Sequence, residues 1–458
     1  MGMDDIKLTR RAFLAATTTT AAIGVVGCAT GPNLARVVPR KISPNEKANV
    51  AAIGAGGKGN SDIMNCRHEN VVALCDVDWS RAEEAFYRLP KAKQYKDYRR
   101  MLDEMGDEID ACTVSTPDHT HAPAAYMAMC RGIHVYVQKP LCHTVAETRL
   151  LAEVARKTGV ATQMGNQGQA RDDVRELREM IWSGAIGDIH TVHVWTDRPG
   201  KVWPQGIPEP LPKAPIPRKL EWDLWIGSAP MRPYNPGYHP RAWRGWWDFG
   251  CGALGDMGCH NMNPAWSALR LADAPTYSVE LVREDGNNEQ TGPHSSVIKY
   301  HFPARGEMGA MDLYWYDGGE MPPRPEGVPE DEQLGQEGGN GSLFLGDKGV
   351  ITCGVNGENS RLLPAARMDD YKRPDPWLPR IPDEDPYRDW LEMARTGKPA
   401  CSNFDYSGPL SEMVVLGNVA LCRGRKIQYD PARGKIIGDR DANQMLTKSY
   451  RSGWELPV

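Results

Sequence analysis

Five short apolar runs follow one another after residue 48. They lie at residues 50–53, 71–75, 110–115, 134–137 and 160–164, and each has the length of a buried strand. Amphipathic helical patterns occupy the intervals between them, at residues 61–67, 81–88, 98–105, 123–131 and 145–158. Strands that alternate with helices predict an α/β fold, a doubly wound parallel sheet, over residues 48–170.

A different pattern begins after residue 170. Alternation typical of strands recurs at residues 189–196, 278–282, 296–302, 309–315, 342–345, 349–353 and 426–429. Helical patterns occupy residues 173–183, 254–271 with a break at Pro264, 386–395 and 406–423. Residues 199–240 carry eleven prolines, which predicts a long ordered loop. We therefore expect residues 171–458 to form an α+β domain with an open, mostly antiparallel sheet.

The first 28 residues have the features of an export signal. Arg10 and Arg11 precede an uncharged segment, residues 12–35, whose apolar part is too short and too polar for a stable membrane span. Residues 25–28 resemble a bacterial lipobox, which predicts lipidation of Cys28, and a plain signal cleaved just beyond Cys28 is the alternative. We expect twin-arginine export to the periplasm or cell envelope, with a lipid anchor as the only membrane contact. Residues 29–47 would form a linker arm.

A glycine-rich turn separates the first two predicted strands. The sequence from Gly54 through Gly56 and Gly57 to Gly59 is a G-x-G-x-x-G, and the second strand ends on Asp76. Such glycines allow a tight bend, a close approach of the backbone to a pyrophosphate, and close packing of helix on strand. An acid at the end of the second strand accepts hydrogen bonds from the adenosine ribose. NAD is therefore the predicted cofactor, and an ordinary glycine turn is the alternative.

NADP is the less favoured cofactor. A 2′-phosphate would meet the negative charge of Asp76, although Arg81 lies near enough in the sequence to weaken this preference.

Composition and charge narrow the classes of function. The 458 residues are 41% hydrophobic and 25% charged, which is typical of a globular protein of two domains. A net charge of −5 gives no reason to expect nucleic acid as a partner. The eleven cysteines lack regular spacing, so we predict neither a disulfide framework nor a metal site. The chain has fourteen Trp and only six Phe. This ratio favours a sugar as the substrate, because indole rings offer flat apolar faces to sugar C–H groups.

Three further segments, together with the glycine turn, resemble the Gfo/Idh/MocA family of glucose–fructose oxidoreductase and inositol dehydrogenase. They are Ser115-Thr116-Pro117 with His121, the segment Val137-Gln138-Lys139-Pro140, and the D-x-x-x-H segment at residues 252–260. The resemblance covers residues 48–430. It implies an NAD-binding Rossmann domain, then a substrate domain whose open sheet face forms a dimer or tetramer. Gln138 departs from the family's usual Glu, which should change how strongly the positive form of Lys139 is favoured.

The resemblance also implies catalytic roles for three residues. Lys139, at a strand end facing the cofactor, would hydrogen-bond the reacting oxygen and stabilise a developing alkoxide. Asp256 and His260 are four residues apart, so they share one face of a helix. We expect His260 to be the general base, because histidine titrates near neutral pH, and Asp256 to orient it or to hold a substrate hydroxyl. The alternative is an ordinary pair on a helix surface.

Other residues are predicted to contact the bound molecules. Beyond the glycine turn and Asp76, the expected cofactor contacts are Ser115, Thr116, Pro117, His121, Gln138, Lys139 and Asn166. The expected substrate contacts are Lys139, Gln167, Trp203, Tyr238, Trp243, Arg244, Asp256 and His260. For His121 a helix-capping role is the alternative, and for Asn166 and Gln167 a turn role. The aromatic residues of the proline-rich loop could instead anchor that loop to the core.

Three functions fit these predictions. The first is an oxidoreductase that acts on a secondary hydroxyl of a sugar, polyol or glycoside, with NAD held tightly because twin-arginine export carries proteins already folded around their cofactors. The second is a redox-neutral, NAD-dependent glycosidase or lyase that works through a transient keto-sugar. The third is a non-enzymatic sugar-binding protein on a dehydrogenase scaffold, which only Gln138 favours.

Overall fold

Two β-sheets organise the described part of the chain, which comprises residue 34 and residues 37–458 of the computed structural model. The export signal predicted at residues 1–28, including Cys28, lies outside the described residues. Of the predicted arm, residues 37–47 contain turns but neither helix nor strand. An ion pair of 2.9 Å between Arg40 Nε and Asp110 Oδ1 ties this arm to the first sheet.

The first sheet is parallel and carries helices between its strands. Its strands are β1 (Asn49–Ile53), β2 (Asn70–Cys75), β3 (Lys93–Tyr95), β4 (Ala111–Val114), β5 (His134–Val137) and β6 (Thr162–Met164). Its helices are α1 (Lys58–Asn65), α2 (Trp79–Arg88), α3 (Tyr98–Met105), α4 (Asp118–Met129) and α5 (Val145–Thr158). The strand order β3-β2-β1-β4-β5-β6 is that of doubly wound nucleotide-binding sheets, so the predicted α/β class is confirmed.

Two elements of this sheet differ from the prediction. The edge strand β3 is three residues long and mostly exposed, so it has no apolar pattern. Helix α4 begins at Asp118, well before the predicted start at residue 123, because Pro117 has the extended conformation of an N-cap. Pro123 therefore lies inside the helix, and its missing N–H leaves the carbonyl of His119 without a helical donor.

Two distant side chains satisfy that carbonyl. Ser228 Oγ donates to the His119 oxygen at 2.8 Å, and Lys448 Nζ donates to it at 3.2 Å. A proline inside α4 thus creates a binding point for two later parts of the chain.

The second sheet contains the remaining strands. They are β7 (Ile189–Trp195), β8 (Tyr277–Asp285), β9 (Ser295–Phe302), β10 (Met311–Asp317), β11 (Gly341–Gly346), β12 (Gly349–Cys353), β13 (Arg361–Leu363), β14 (Ile427–Asp430) and β15 (Lys435–Ile436). Their order is β13-β12-β11-β7-β10-β9-β8-β14-β15, and only β7 and β10 pair in parallel. The prediction of a mostly antiparallel sheet is therefore confirmed.

Seven helices accompany this sheet in the described chain. They are α6 (Asp172–Trp182), α7 (Trp222–Ile226), α8 (Gly252–Asn261), α9 (Asn263–Ala268), α10 (Pro386–Thr396), α11 (Phe404–Arg423) and α12 (Arg440–Gln444). The break predicted at Pro264 separates α8 from α9. The sequence did not predict β13, β15 or α12, each of which has at most five residues.

Residues 196–251 join β7 to α8, and we call this segment the strap. The prediction of an ordered loop is correct except for α7. Seven of its aromatic residues form their own buried cluster: Trp222, Trp225, Tyr234, Tyr238, Trp243, Trp246 and Phe249. The strap is fixed to the end of β2, since the backbone N–H of Glu221 donates to the Val77 carbonyl at 2.9 Å and Lys96 pairs with the Glu221 carboxylate.

Elements late in the chain complete the core of the first sheet. On α10, the ring of Tyr387 stacks on Tyr136 of β5 with centroids 4.7 Å apart, and Trp390 Nε1 donates to the Ala161 carbonyl at 3.3 Å. A domain boundary near residue 170 stays a prediction, but α10 packs on the sheet that precedes it.

The described cysteines are all free thiols, and seven of the ten are buried. Burial raises the pKa of Cys112 to about 12, which keeps that thiol protonated. Within residues 37–458 no group of three or more His, Cys, Asp or Glu side chains is arranged to bind a metal ion. None of the described helices is both long and apolar enough to cross a membrane.

Replacing Trp390 by alanine should strongly destabilise the protein, because this side chain is fully buried between α10 and the first sheet. We expect Trp390→Ala to cost about 3–5 kcal/mol, as for other buried large-to-small substitutions. Trp377→Ala is the matched control, because Trp377 is 50% exposed, and it should cost less than about 1 kcal/mol. Denaturant unfolding followed by circular dichroism measures both. Equal losses would contradict the packing of α10 described above.

Candidate functional site

A cavity of about 740 Å³ lies where the carboxyl ends of β1, β2, β4 and β5 face the strap. This volume is within the usual range for small-molecule sites. Most of the predicted site residues line it: Gly54, Gly56, Gly57, Asp76, Ser115, Thr116, Pro117, Gln138, Lys139, Gln167, Trp203, Trp243, Arg244, Asp256 and His260. Residues far apart in the sequence therefore meet at one place.

The glycine turn leaves its backbone open to the cavity. Gly54 has φ +82°, and a Cβ there would lie 2.7 Å from the Ser115 carbonyl oxygen. A Cβ on Gly59 would lie 1.7 Å from the Gly54 carbonyl oxygen, so only glycine lets α1 pack this close to the turn. Helix α1 has Gly57 as its N-cap, no side-chain cap and no acid in its first turn. Its free N–H groups suit an anion such as a pyrophosphate.

Asp76 lines the adenosine end of this cavity. Its carboxylate accepts the N–H of Gly56 and the N–H of Asp78, each at 2.8 Å. Burial raises the pKa of Asp76, and these two hydrogen bonds oppose the increase. Each oxygen retains a further lone pair, which is what a ribose hydroxyl requires. Together with the open N–H groups of α1, the residues present fit a dinucleotide.

The strap also closes over this end of the cavity. His239 Nε2 lies 2.7 Å from Asp78 Oδ2, just beyond β2. Leu224 and Trp225 of α7 line the same cavity as Asp76. A dinucleotide in this position would be covered on its outer side by strap residues.

Asp62 is a site residue that the sequence analysis missed. It is fully buried in α1, and Oδ2 accepts from Ser115 Oγ at 2.6 Å and Gln138 Nε2 at 2.8 Å. Oδ1 accepts from Lys58 Nζ and Tyr387 Oη, both at 2.6 Å. A Glu at position 138 would place a second carboxylate against Asp62. Gln138 therefore supplies an N–H to a negative charge that this chain carries on α1.

Lys139, Asp256 and Arg244 form an ionic cluster on the cavity wall. Asp256 Oδ1 lies 2.8 Å from Lys139 Nζ and 2.9 Å from Arg244 Nε. Lys139 Nζ also donates to the Asp256 carbonyl at 2.6 Å. Burial by itself raises the pKa of Asp256, but the charges of Lys139 and Arg244 outweigh it and hold the pKa well below its ordinary range. Asp256 is therefore ionised and fixes the direction of both cations.

His260 lies one turn further along α8 and faces the same cavity. Burial and then the nearby charge of Lys139 lower its pKa to about 3, so the imidazole is uncharged at neutral pH. Within the described chain Asp256 bonds to Lys139 and Arg244 and makes no hydrogen bond to His260. Two roles were expected for Asp256, and the structure does not show the one in which Asp256 orients His260. The near-neutral pKa expected for His260 is also wrong, because the sequence does not show its burial.

Asp118 is the second site residue that the sequence did not reveal. It is the first residue of α4, lines the cavity, and accepts the N–H of Cys251 on Oδ2 at 3.0 Å. Burial raises its pKa to about 7, and the charges of Lys139 and Arg244 act in the opposite direction. Its position directly after Ser115-Thr116-Pro117 was the one available signal.

Aromatic side chains pack around Arg244 at the cavity wall. The Arg244 guanidinium carbon lies 4.4 Å from the ring centroid of Trp243 and 5.8 Å from that of Trp203. Trp203 Nε1 donates to Gln205 Oε1 at 2.9 Å, which fixes the plane of its ring. Gln167 enters from the other side and donates to Tyr136 Oη at 3.2 Å.

Four predicted contact residues do not line the cavity. Gly59 lies beneath the glycine turn. His121 is buried with its ring nitrogens 2.9 and 2.8 Å from the carbonyls of Pro140 and Thr116. Asn166 bonds to Ser402 and Asn263 in the core, and Tyr238 packs in the aromatic cluster of the strap. The side chains of His121, Asn166 and Tyr238 support the walls of the site from behind.

Known relatives match parts of this chain. An α-N-acetylgalactosaminidase of Shewanella oneidensis is 30% identical over 204 residues, which are 39% of this chain and 44% of that protein. D-glucoside 3-dehydrogenase of Escherichia coli is 29% identical over 145 residues, 31% of this chain and 41% of that protein. The chain thus matches less than half the length of either relative.

Among solved structures, the WlbA dehydrogenase of Bordetella pertussis in complex with NADH and UDP-GlcNAcA has a TM-score of 0.57 and 15% identity, over 83% of this chain and 98% of that one. This similarity shows a shared fold. The family model for an oxidoreductase with an NAD-binding Rossmann fold matches residues 48–166, and that for the family's C-terminal alpha/beta domain matches residues 170–304. With both halves matched, the chain belongs to the Gfo/Idh/MocA family of NAD-binding oxidoreductases.

Proposed function

We propose that this protein oxidises a secondary hydroxyl group of a sugar, polyol or glycoside with tightly bound NAD. One observation carries the proposal: Lys139, Asp256 and His260 line the same cavity as the glycine turn and Asp76. The similarity to a D-glucoside 3-dehydrogenase supports a carbohydrate as substrate.

The cavity residues divide the work of alcohol oxidation. Bound NAD supplies the acceptor for the hydride that leaves the carbinol carbon. Lys139 Nζ donates a hydrogen bond to the reacting oxygen, in a direction set by Asp256. His260 is uncharged, so a ring nitrogen is able to take the hydroxyl proton. Asp118 in its ionised form stabilises the positive charge that then builds up beside Lys139.

The closed strap supports tight retention of NAD. Release of a dinucleotide would require the strap to leave the ends of β2 and β3, where His239 pairs with Asp78 and Glu221 pairs with Lys96. Each such contact adds to the barrier for exchange. A cofactor retained through many turnovers suits an enzyme that works away from a free nicotinamide pool.

A second candidate function is redox-neutral. In it the enzyme oxidises a sugar hydroxyl to a ketone, which acidifies the neighbouring C–H. That carbon loses its proton as a substituent leaves, water adds to the resulting double bond, and the ketone then takes the hydride back from the cofactor. The similarity to an α-N-acetylgalactosaminidase favours this reaction, because that name describes hydrolysis and no net oxidation.

Export and oligomerisation complete the proposal. The paired Arg10 and Arg11 and the lipobox-like segment at Cys28 support export by the twin-arginine route to the cell envelope, with a lipid anchor. Family membership supports a homo-oligomer. Sedimentation of the purified protein distinguishes a monomer from a dimer or tetramer, and a monomer at working concentration would contradict the last point.

The decisive experiment uses the chain from residue 29 onwards, purified without added cofactor. We expect its absorbance to show bound NAD, and we expect one of a panel of sugars, polyols and glycosides to produce the band of reduced nicotinamide. Consumption of a glycoside with no lasting change in that band would establish the redox-neutral reaction instead. A protein that neither contains nor accepts a dinucleotide would contradict both functions.

Two glycine variants serve as controls for that experiment. Gly59→Ala should lower the NAD content by about tenfold or more, because its Cβ displaces α1 from the turn. Gly309→Ala should leave the NAD content unchanged, since a Cβ there meets nothing within 4 Å. Similar losses in the two variants would mean that general destabilisation, and not the turn, was measured.

The rate of substrate oxidation should rise with pH through about 7, the pKa to which Asp118 is raised. Below that pH the neutral carboxyl no longer offsets Lys139, so protonation of His260 is harder and the rate falls about threefold to tenfold. His260 itself, with a pKa of about 3, finishes titrating below this range. Single-turnover reduction of bound NAD between about pH 5 and about pH 9 measures the profile.

Two variants distinguish the titration of Asp118 from that of His260. Asp118→Asn should flatten the profile at the rate seen at low pH, because a neutral amide never offsets Lys139. His260→Gln removes the proton acceptor, so it should lower the rate at every pH and abolish the step. A step that persists in Asp118→Asn would assign the titration to another group and contradict the role proposed for Asp118.

A further inference from the structure

The cavity wall carries more positive than negative charge. Its cationic residues are Lys58, Arg81, Lys139, Arg198, Arg241 and Arg244, and its carboxylates are Asp76, Asp118 and Asp256. The pyrophosphate of a dinucleotide adds negative charge only at the glycine turn, where Lys58 and Arg81 stand. Lys58 is paired with Asp62 and Arg198 with Asp197, so the cations left for a second anionic group are on the strap, at Arg241 and Arg244.

Three arginines of the strap line the cavity. One edge of the Arg244 guanidinium is already occupied, because its Nε pairs with Asp256 at 2.9 Å. Its plane lies over the ring of Trp243. Arg198 pairs with its neighbour Asp197 at 2.7 Å. Arg241 is exposed, and no described acidic side chain pairs with it. Its guanidinium is thus a cation at the mouth of the cavity without an internal counter-ion.

Arg244 also keeps part of its guanidinium available. Besides Nε, only Nη1 makes a hydrogen bond within the described chain, to the Arg241 carbonyl at 3.5 Å. Nη2 therefore remains as a donor, on a group already held in position by Asp256 and by two indole rings. A pre-oriented guanidinium beside an unpaired one is the arrangement that recognises carboxylate or phosphate oxygens, often through two parallel hydrogen bonds.

The same wall offers apolar faces next to these charges. Trp203 and Trp243 line the cavity on either side of Arg244. Indole faces pack against the C–H faces of a pyranose. A neutral sugar, however, offers no negative charge to pair with the adjacent arginines. The combination calls for a ring with an acidic substituent.

We propose that the substrate is an anionic sugar, whose carboxylate or phosphate is bound by Arg241 and Arg244 while its ring packs on Trp203 and Trp243. This inference rests on the proposed function, of which it specifies the substrate class. The acidic group lies on the side of Arg244 that faces Arg241, because the opposite edge of Arg244 is occupied by Asp256, and a ring hydroxyl then reaches Lys139 and His260. The anion supplies the counter-charge that Arg241 lacks among the described residues.

The test measures binding of matched sugars to the NAD-containing protein by titration calorimetry, which needs no turnover. The probes are methyl glucuronide, glucose 6-phosphate and methyl glucoside. We expect at least one acidic probe to bind about tenfold or more tightly than the neutral one, and the stronger of the two identifies a carboxylate or a phosphate. The preference should shrink as salt is added, because the pairing at Arg241 is near the surface.

Two variants at matched positions complete the test. Arg241→Gln should reduce the preference for the acidic probe by about threefold to tenfold and leave the neutral probe unchanged. Arg218→Gln is the control, because Arg218 is an exposed arginine of the same strap that does not line the cavity, and it should retain the full preference. Equal binding of neutral and acidic probes, or a preference that Arg241→Gln does not alter, would overturn the inference.

The outcomes also separate this inference from the proposed function. If the protein contains NAD and only a neutral sugar reduces it, the oxidoreductase stands and the anionic substrate is refuted. If acidic probes bind through Arg241 but no dinucleotide is ever held, the recognition site stands and the oxidoreductase is refuted.

Discussion

The buried carboxylate of Asp256 is the constraint on which the site depends. It joins three parts of the chain that are distant in sequence: the end of β5 through Lys139, helix α8, and the strap through Arg244. These side chains are only 13–28% exposed, so each charge depends on its partners for much of its solvation. Together with the contacts of Glu221 and His239, the cluster holds the strap over the first sheet and shapes the cavity.

Much of the fold was predictable because its elements repeat simple patterns. The strands β1, β4 and β5 are buried, largely apolar runs, and parallel strands separated by helices permit few arrangements. The strap was harder to predict, because its structure comes from aromatic side chains that meet only in three dimensions. The start of α4 was missed because Pro123 suggested a helix boundary, whereas Pro117 supplies it.

The candidate site was predictable where a motif has a fixed spacing and unpredictable where burial decides the chemistry. Lys139, Asp256 and His260 were found from their motifs and meet in one cavity. The low pKa of His260 and the raised pKa of Asp118 depend on surroundings that no local sequence records. The sequence indicated that Gln138 removes a negative charge from the site, and the structure shows that Gln138 donates a hydrogen bond to the carboxylate of Asp62.

The proline inside α4 has a consequence for how the chain tolerates change. Because Pro123 has no N–H, the carbonyl of His119 depends on Ser228 from the strap and Lys448 from the C-terminal segment. A residue with an N–H at position 123 would return that carbonyl to the helix and leave Ser228 and Lys448 competing for it. Positions 123, 228 and 448 are therefore coupled through one carbonyl oxygen, so that a substitution at any one changes the hydrogen bonding available to the other two.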